Sequence, residues 1–258
     1  MKFTNVPIDQ YEKYSALFDK DYCSRTFVDS AFTYKLVPLQ VDNLDEPSAA
    51  LLDFKFAIVY TGDVQSLSKD DIQSILPERK IVAGESEQWK SKLLEFFEGK
   101  VVERRRTRMS HQSLNLEKLE DLRKPLPDGF TLERIDRETA KNLPEILGIH
   151  IPILYGSVDK FMDNGIGFIV KDGDTPVSMA SSTLPYTNLL EMQVSTVDNS
   201  EYRRKGYGTA ACIEMISYCL KNDIEPNWEA ANDRSVAMAL KLGYTNPIDI
   251  FQYYWKNE

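Results

Sequence analysis

The chain has 258 residues, 42% of them hydrophobic, which is enough for one large domain or two of modest size. Its formal charge of −9 and sequence pI near 5.0 argue against a nucleic-acid partner and suit a cationic substrate. The sequence contains no signal-peptide pattern and no run of 18 apolar residues, so we expect no membrane association and a cytoplasmic location. Cys23, Cys212 and Cys219 are an odd set without a metal-ligand grouping, which predicts a reducing compartment, no disulfide and no bound metal.

The pattern of residues 1–125 predicts a smaller mixed α/β domain that carries no chemical signature. Strands are predicted at 32–39, 54–60 and 80–83, and helices at 67–76 and 87–97. The basic run "ERRRTR" at 103–108 has two interpretations, an anion site or a solvated strand edge that discourages pairing, and its alternating exposure favours the edge.

A charged stretch that ends in two prolines and Asp128-Gly129 separates the two halves of the chain. Because proline and glycine interrupt regular structure, we place the domain junction near residue 125, with a second domain at 126–258.

The second domain is clearly punctuated. Asp172-Gly173 lies between two apolar runs and predicts a hairpin. The elements predicted beyond it are a strand at 189–198, a helix at 208–221, a strand at 227–231, a helix capped by Asn232 and closed by Gly243, and a strand at 248–255. The sequence therefore predicts helices and strands in both halves of the chain, that is, an α/β fold class (α+β) with a mixed sheet.

The stretch "EYRRKGYGTAAC" at 201–212 directly precedes the predicted helix at 208. The first turn of a helix leaves N–H groups unpaired, and these groups and the helix dipole attract anions. Gly206 and Gly208 allow a diphosphate to approach the backbone, and Arg203, Arg204 and Lys205 add positive charge. The stretch is neither a Walker loop nor the three-glycine dinucleotide motif, so it predicts a different phosphate cradle.

Arg203-x-x-Gly206-x-Gly208, placed between a strand and a helix, resembles the coenzyme A pyrophosphate loop of the GNAT superfamily of N-acetyltransferases. The ending "WEAANDRSVAMALKLGYTNP" is similar to that superfamily's Asn, Ser and "KLGY" pattern, so the resemblance covers about residues 130–258. "VDNLDEPSAALLDFKFAIVYTGD" and Trp228 before Asn232 are similar to the subgroup that includes zwittermicin A resistance proteins.

The resemblance implies acetyl-CoA as cosubstrate and assigns residues to its parts. The splayed strand would pair with the pantetheine arm, one of its N–H groups would hold the oxyanion, the loop would bind the pyrophosphate, and the next helix would contact the cofactor. The residues are Val194, Ser195, Thr196 and Val197 on the strand, Arg203, Arg204, Lys205, Gly206, Tyr207, Gly208 and Thr209 in the loop, and Asn232 and Ser235 on the helix. Asn232 is equally well explained as a helix cap, and Ser235 as an ordinary residue of the first turn.

Acetyl transfer to an amine requires a general base and often a general acid. Glu191 is the candidate base, because it shares one strand face with Gln193 and Ser195, although it could instead be a rim carboxylate that attracts the amine. Glu229 is the reserve. Ala239 occupies the position where the superfamily usually has its tyrosine acid, so Tyr253, Tyr254 or solvent would have to supply the proton. Neither His111 nor His150 is assigned a chemical role.

We therefore expect a GNAT acyltransferase domain preceded by a smaller, degenerate GNAT-like half that walls the acceptor site. One acyl-CoA site per chain is expected, and the protein would be an N-acetyltransferase of small primary amines, as a monomer or homodimer. Ala239 leaves open an acyl-CoA-binding sensor or pseudo-enzyme. A tandem-GNAT aminoacyl transferase that uses charged transfer RNA is a third alternative, and the acidic charge counts against it.

Overall fold

The computed structural model describes residues 2–18, 24–83 and 87–258, so Cys23 lies outside the described residues. The chain forms two compact units: unit 1 comprises Met1–Arg106 and Asp249–Glu258, and unit 2 comprises Thr107–Ile248. The chain leaves unit 1 within strand β6 (Val101–Ser110) and returns to it within strand β12 (Thr245–Trp255).

Unit 1 is a mixed sheet with helices, and its strands follow the order β1-β2-β3-β4-β5-β12. Strands β4 and β5 are parallel, and the other neighbours are antiparallel. Its other elements are β1 (Thr4–Asn5), a 3-10 helix (Ile8–Phe18), α1 (Arg25–Tyr34), β2 (Leu39–Val41), β3 (Ala50–Asp53), β4 (Ala57–Thr61), a 3-10 turn (Val64–Ser66), α2 (Lys69–Ile75), β5 (Ile81–Ala83) and α3 (Glu87–Phe97).

The prediction of a strand at 32–39 was wrong, because this segment holds the end of α1 and the start of β2. Helix α1 buries Thr26, Ser30 and Ala31 at helical spacing and ends where Lys35 adopts a left-handed conformation. Pro38, which has no N–H for a sheet ladder, then precedes β2.

The strand predicted at 54–60 is the second arm of a hairpin rather than one continuous run. The Asp53 carboxylate accepts a hydrogen bond from the Lys55 N–H at 2.9 Å, and Lys55 takes a positive φ of 64°. This local turn reverses the chain between β3 and β4. The predictions at 67–76, 80–83 and 87–97 are confirmed by α2, β5 and α3.

Unit 2 is also a mixed sheet, in the order β6-β11-β10-β9-β8-β7, with β10 and β11 parallel. Its long helix α8 packs on β8, β9 and β10 over the main hydrophobic core of the unit. Its other elements are α4 (Leu116–Asp121), β7 (Phe130–Arg134), α5 (Arg137–Lys141), α6 (Glu145–Gly148), a π-helix (Ile151–Tyr155), α7 (Val158–Asn164), β8 (Gly167–Asp172), β9 (Thr175–Ser182), β10 (Leu189–Thr196), α8 (Tyr207–Lys221), β11 (Glu225–Ala230) and α9 (Asp233–Leu242). The hairpin, helix and strand predictions for this part of the chain are confirmed to within three residues.

The two halves of the chain exchange their last strands. The strand that follows α3 is β6, yet its Thr107–Met109 segment pairs with β11 of unit 2. The strand that follows α9 is β12, yet Tyr253 pairs with Val82 of β5 in unit 1.

The compact units therefore divide at different residues from the predicted junction at 125. Residues 107–125 belong to unit 2, where Leu119 of α4 is fully buried in the core, and residues 249–258 belong to unit 1. Prolines and charge indicated a linker, but long-range strand pairing decides the division.

Within the described residues, no helix is both long enough and apolar enough to cross a membrane. Cys212 and Cys219 are buried free thiols, and burial raises the pKa of Cys219 to about 12.

Candidate functional site

Strands β10 and β11 separate halfway along β10. Their parallel ladder covers Leu189 to Glu191, whereas β10 stays paired with β9 from Met192 to Thr196. Beyond this point β11 pairs with β6 on its other side. The second half of β10 therefore presents one backbone edge to the gap that opens between the two parallel strands.

The hydrogen bonds to β9 show which residues of β10 face this gap. The Glu191 carbonyl accepts from the Thr183 N–H at 2.8 Å, and the Val197 N–H donates to the Val177 carbonyl at 3.0 Å. Backbone groups of alternate residues point to opposite sides of a strand, so those of Val194 and Thr196 point towards the gap. Of the four residues predicted here, Ser195 and Val197 direct their backbone groups towards β9.

The N-terminus of α8 is open. Gly206 is its N-cap, with a φ of 93°, and no side chain caps the helix. A Cβ at Gly206 would have no atom within 4 Å, so there is space in front of the first turn. Arg204 also has a positive φ, of 61°, and alternation of left-handed and right-handed residues turns successive N–H groups to one side.

Basic side chains surround this turn. Arg203 forms an exposed ion pair with Asp198 at 3.1 Å. Arg204 and Lys205 are exposed, and in the part of the chain that the structure describes neither is paired with a carboxylate. The uncapped amides and these cations together make the turn attractive to an anion.

Aromatic packing fixes the turn on the sheet. The Tyr207 ring stacks on Phe130 with centroids 4.7 Å apart, and the Tyr202 hydroxyl donates to Asp172 at 3.0 Å. A Cβ at Gly208 would lie 3.5 Å from side-chain atoms of Val194 and Thr196, so α8 starts in close contact with β10. Gly208 thus serves close packing, and Gly206 serves the backbone turn. Thr209 follows in the first turn and is half-buried.

The start of α9 lies directly after the end of β11. The Asn232 side chain caps this helix by accepting from the Ser235 N–H at 3.1 Å, which confirms the helix-cap interpretation. The Ser235 hydroxyl in turn accepts from the Trp228 indole N–H at 3.1 Å. These two bonds tie the start of α9 to β11.

Glu191 lies where the two strands part, and it is 9% exposed. Its carboxylate accepts a hydrogen bond from the side-chain amide of Asn227, the residue opposite it on β11. Gln193 and Ser195 lie on the same face, linked by a bond of 3.3 Å. Sequence reasoning missed Asn227, because its contact depends on the register of a parallel pair.

His150, which sequence reasoning left unassigned, is buried beside this polar face. Its Nε2 is 3.2 Å from the Ser181 hydroxyl, and Ser181 pairs directly with Gln193 across β9 and β10. Its Nδ1 is buried without a hydrogen-bond partner among the described residues. Burial lowers the pKa of His150 to about 4, so the imidazole is neutral at pH 7.

The remaining candidates have other surroundings. Tyr253 and Tyr254 belong to unit 1, and the Tyr253 hydroxyl donates to Glu87 at 3.5 Å. Ala239 is completely buried in the core of unit 2, so its position offers only a methyl group. Glu229 pairs across the sheet with Arg108. Within the described residues, no three His, Cys, Asp or Glu side chains are close enough to hold a metal ion.

Comparison with known proteins identifies the class. A model of the GNAT acetyltransferase family matches residues 15–253, so the chain belongs to the GNAT acetyltransferase family. The chain is 27% identical over 259 residues to an uncharacterized N-acetyltransferase, YdfB, of Bacillus subtilis (strain 168), and the match covers 95% of each. The protein is therefore an acyltransferase, and its family implies acetyl-CoA as cosubstrate.

Solved structures share the fold. A GCN5-related N-acetyltransferase-like protein from Streptococcus suis 89/1591 superposes with a TM-score of 0.78 at 24% identity, covering 96% of this chain and 99% of that one. A tandem GNAT protein from the clavulanic acid biosynthesis pathway has a TM-score of 0.59 at 11% identity, covering 100% and 99%. The predicted fold class is confirmed, and the narrower zwittermicin resemblance stays a prediction.

Proposed function

We propose that the protein transfers an acetyl group from acetyl-CoA to a primary amine of a small molecule, by direct attack within a ternary complex. The observation that carries this proposal is the open N-terminus of α8, which begins with Gly206 at a φ of 93° and lies beside the second half of β10. Unit 2 alone supplies every residue of this arrangement.

The turn before α8 would hold the diphosphate of the cosubstrate. Backbone N–H groups would make most of the contacts, since anions bind readily at uncapped helix N-termini. The residues are those of the turn and the first helical positions, namely Arg203, Arg204, Lys205, Gly206, Tyr207, Gly208 and Thr209. The space in front of Gly206 fits this assignment, because no atom within 4 Å of its Cβ position would obstruct an anion.

The open edge of β10 would hold the pantetheine arm. Val194 and Thr196 direct their backbone groups into the gap, where an extended amide chain can pair as an added strand would. One of these N–H groups would also stabilise the oxyanion of the acyl transfer. Asn232 and Ser235 lie at the start of α9, immediately beyond β11, and would contact the cosubstrate from that side.

Glu191 would act as the general base for the incoming ammonium group. The Asn227 amide engages one carboxylate oxygen and orients the group towards the point where the strands separate. When bound, acetyl-CoA supplies the thioester that the amine attacks. Ala239 offers no proton, so we assign protonation of the departing thiolate to water.

A titration and a turnover assay test the proposal together. Calorimetry with acetyl-CoA should show one saturable site per chain, and release of free thiol should accompany acetylation of some members of a panel of small amines. Glu191→Gln should lower kcat by about 10²-fold to 10⁴-fold without weakening acetyl-CoA binding, since general-base catalysis is worth that factor. If the wild type does not bind acetyl-CoA, the whole proposal is wrong.

A sensor that binds acyl-CoA without turnover is the second candidate, and the buried methyl group of Ala239 favours it. Saturable binding without thiol release across the amine panel would identify this alternative. If Glu191→Gln turns over at the wild-type rate, the protein is still an enzyme, but Glu191 is not its general base.

A further inference from the structure

One face of the sheet of unit 2 is polar around the point where β10 and β11 part. A Cβ at Gly208 would lie 3.5 Å from side-chain atoms of Val194 and Thr196, so α8 covers the face that these two residues share. Successive side chains of a strand point to opposite faces. The other face of β10 therefore carries three polar side chains, those of Glu191, Gln193 and Ser195. Ser181 of β9, which pairs directly with Gln193, extends this polar row on the side of the sheet opposite to α8.

His150 contacts the polar row through Ser181. His150 is 6% exposed, Ser181 is fully buried, and the imidazole Nε2 lies 3.2 Å from the Ser181 hydroxyl oxygen. Burial lowers the pKa of His150 to about 4, so the neutral ring carries one N–H at pH 7. The buried pair thus holds two donor hydrogens, one on the ring and one on the hydroxyl. Among the described residues the two side chains form one hydrogen bond, the bond to each other.

This hydrogen count leaves one buried donor without an acceptor in either tautomer of His150. If Nδ1 carries the hydrogen, the hydroxyl donates to Nε2, and the Nδ1–H is left over. If Nε2 carries it, the ring donates to Ser181, and the hydroxyl hydrogen is left over. The second tautomer is the better one, because a hydroxyl can rotate towards a new partner and a ring N–H cannot. Since unsatisfied buried donors cost free energy, the Ser181 O–H requires an acceptor.

Gln193 supplies an acceptor beside this hydroxyl. Its side chain is half-buried, its Nε2 donates to the Ser195 hydroxyl at 3.3 Å, and its Oε1 accepts no hydrogen bond from the residues that the structure describes. Side chains of directly paired residues have Cβ atoms about 4.5–5.5 Å apart. The last torsion of a glutamine is soft, so a rotation can bring Oε1 onto the Ser181 hydroxyl. That rotation turns the Nε2 donor towards the open part of the face.

We propose that Gln193 selects acceptor amines that carry an oxygen on the second or third carbon from the nitrogen. The inference rests on the proposed function, because it requires the ammonium group to lie at Glu191. Glu191 and Gln193 are two residues apart on one face, which separates their backbone positions by about 7 Å. A ligand whose nitrogen meets the carboxylate can therefore place such an oxygen at the Gln193 amide. An alkyl chain there would leave polar groups of the protein unpaired, and binding sites reject ligands on that ground.

His150 is a positioning residue in this arrangement. It does not reach the ligand itself, because Ser181 is buried between it and the row. Its N–H occupies the Ser181 oxygen, which leaves the hydroxyl hydrogen for the Gln193 carbonyl and so sets which end of the amide faces the ligand.

Two pairs of amines test the selection, each matched in the number of non-hydrogen atoms: ethanolamine with propylamine, and 3-amino-1-propanol with butylamine. The ratio of kcat/KM within each pair, oxygenated over alkyl, should be about tenfold in the wild type, as one hydrogen bond provides. In Gln193→Leu the ratio should fall below twofold. Calorimetry should show acetyl-CoA affinity within twofold of the wild type, which confirms that the variant is folded.

Three further variants test the positioning role. His150→Phe keeps a ring but no donor, and should lower the ratio about threefold; His150→Gln, which keeps an N–H donor, should restore it to within twofold of the wild type. Tyr155→Phe is the matched control. It removes a buried hydroxyl from the neighbouring π-helix, but this hydroxyl lies 2.7 Å from Ser182, which pairs with Met192 rather than Gln193. The ratio should not change in this control. Equal ratios in His150→Phe and the wild type would overturn the positioning role.

The outcomes separate this inference from the proposed function. A wild-type ratio near one, or a preference that persists in Gln193→Leu, would overturn the selection, whereas thiol release with any of the four amines still supports an acetyltransferase. If no amine releases thiol, calorimetric titration of the four amines into the complex with CoA decides. Tighter binding of the oxygenated members would support selection by Gln193 in a protein that does not transfer acetyl groups. Equal binding, or none, would overturn both proposals.

Discussion

Each unit contains a strand, a helix and a second strand parallel to the first, but the N-termini of the two helices differ. In unit 2, β10 leads to α8, and in unit 1, β4 leads to α2; each helix is followed by a strand parallel to the first. The start of α2 is closed by a capping box, in which Ser68 and Asp71 satisfy each other's backbone N–H groups. The start of α8 has no side-chain cap.

Charge follows the same division. Asp70 and Asp71 stand in the first turn of α2, where they complement the helix dipole and would repel a phosphate. No acidic residue stands in the first turn of α8, and three cations precede it. Equivalent topology therefore does not make equivalent sites; the residues of one turn decide whether a helix N-terminus serves stability or binding.

The largest effect should come from the part of unit 1 that the C-terminal strand completes. The Trp255 ring stacks on Phe97 at 4.3 Å, and its indole N–H donates to the Leu76 carbonyl at 2.9 Å. Trp255→Ala should lower the free energy of unfolding by about 3–5 kcal/mol, measured by denaturant titration. Ile248→Ala, a change at a 51% exposed residue of the same strand, is the control and should cost far less. Equal losses would show that β12 does not stabilise unit 1 through its buried face.

A carboxylate at the N-terminus of α8 should make this helix start as unfavourable to an anion as the start of α2. Gly206→Glu places a carboxylate where the diphosphate would bind, and should weaken acetyl-CoA affinity by about 100-fold, or roughly 3 kcal/mol. Gly206→Asn is the matched control, because asparagine tolerates a positive φ and is neutral. Calorimetry should show a much smaller loss for this control. If both variants bind as the wild type does, the anion site is elsewhere.

The units should also differ in their response to acid, since both histidines of the chain lie in unit 2. His150 has a folded pKa of about 4, below the unfolded value of 6.5, so the unfolded chain binds the extra proton between these values. The contribution of His150 to the free energy of unfolding is complete above pH 6.5 and is lost as the pH falls. Between pH 7.5 and pH 5 this loss is about 2 kcal/mol. Unfolding of wild type and His150→Gln across this range should show a shallower pH dependence in the variant. Parallel curves would contradict the assignment.

The smallest effect on stability should come from removing the side-chain cap of α2 in unit 1. Ser68→Ala removes one half of the capping box and should lower the free energy of unfolding by about 1 kcal/mol, with acetyl-CoA affinity unchanged. Ser91→Ala, an exposed change in the interior of α3, should be neutral or slightly stabilising. A measurable fall in acetyl-CoA affinity on Ser68→Ala would show that the two turns are coupled.

Local patterns were sufficient for the elements that carry the proposed cradle. The strand, the glycine-containing turn and the helix follow one another directly within residues 189–221, so local patterns predict all three. The helix at 87–97 was predicted with its observed bounds. Helix α1 was missed because Phe32, Tyr34 and Leu36 alternate as a strand would, while the buried contacts that select a helix lie outside that window.

Contacts between distant parts of the chain could not be predicted. Nothing near Asn227 indicates that its amide meets Glu191, since the register of parallel strands is set by the whole sheet. The compact units divide at residues other than 125 for the same reason: nothing in the sequence of β12 indicates that its partner is β5. His150 likewise has no local signal of burial beside Ser181.

The strand exchange has a consequence for synthesis on the ribosome. Unit 1 contains the first residues to emerge, but its β5 lacks its neighbour until residues 249–258 have been made. Because translation runs in one direction, the edge of β5 stays uncovered while all of unit 2 is being produced, and unpaired edges are prone to wrong partners. A nascent chain stalled after residue 248 should therefore be protease-sensitive in unit 1.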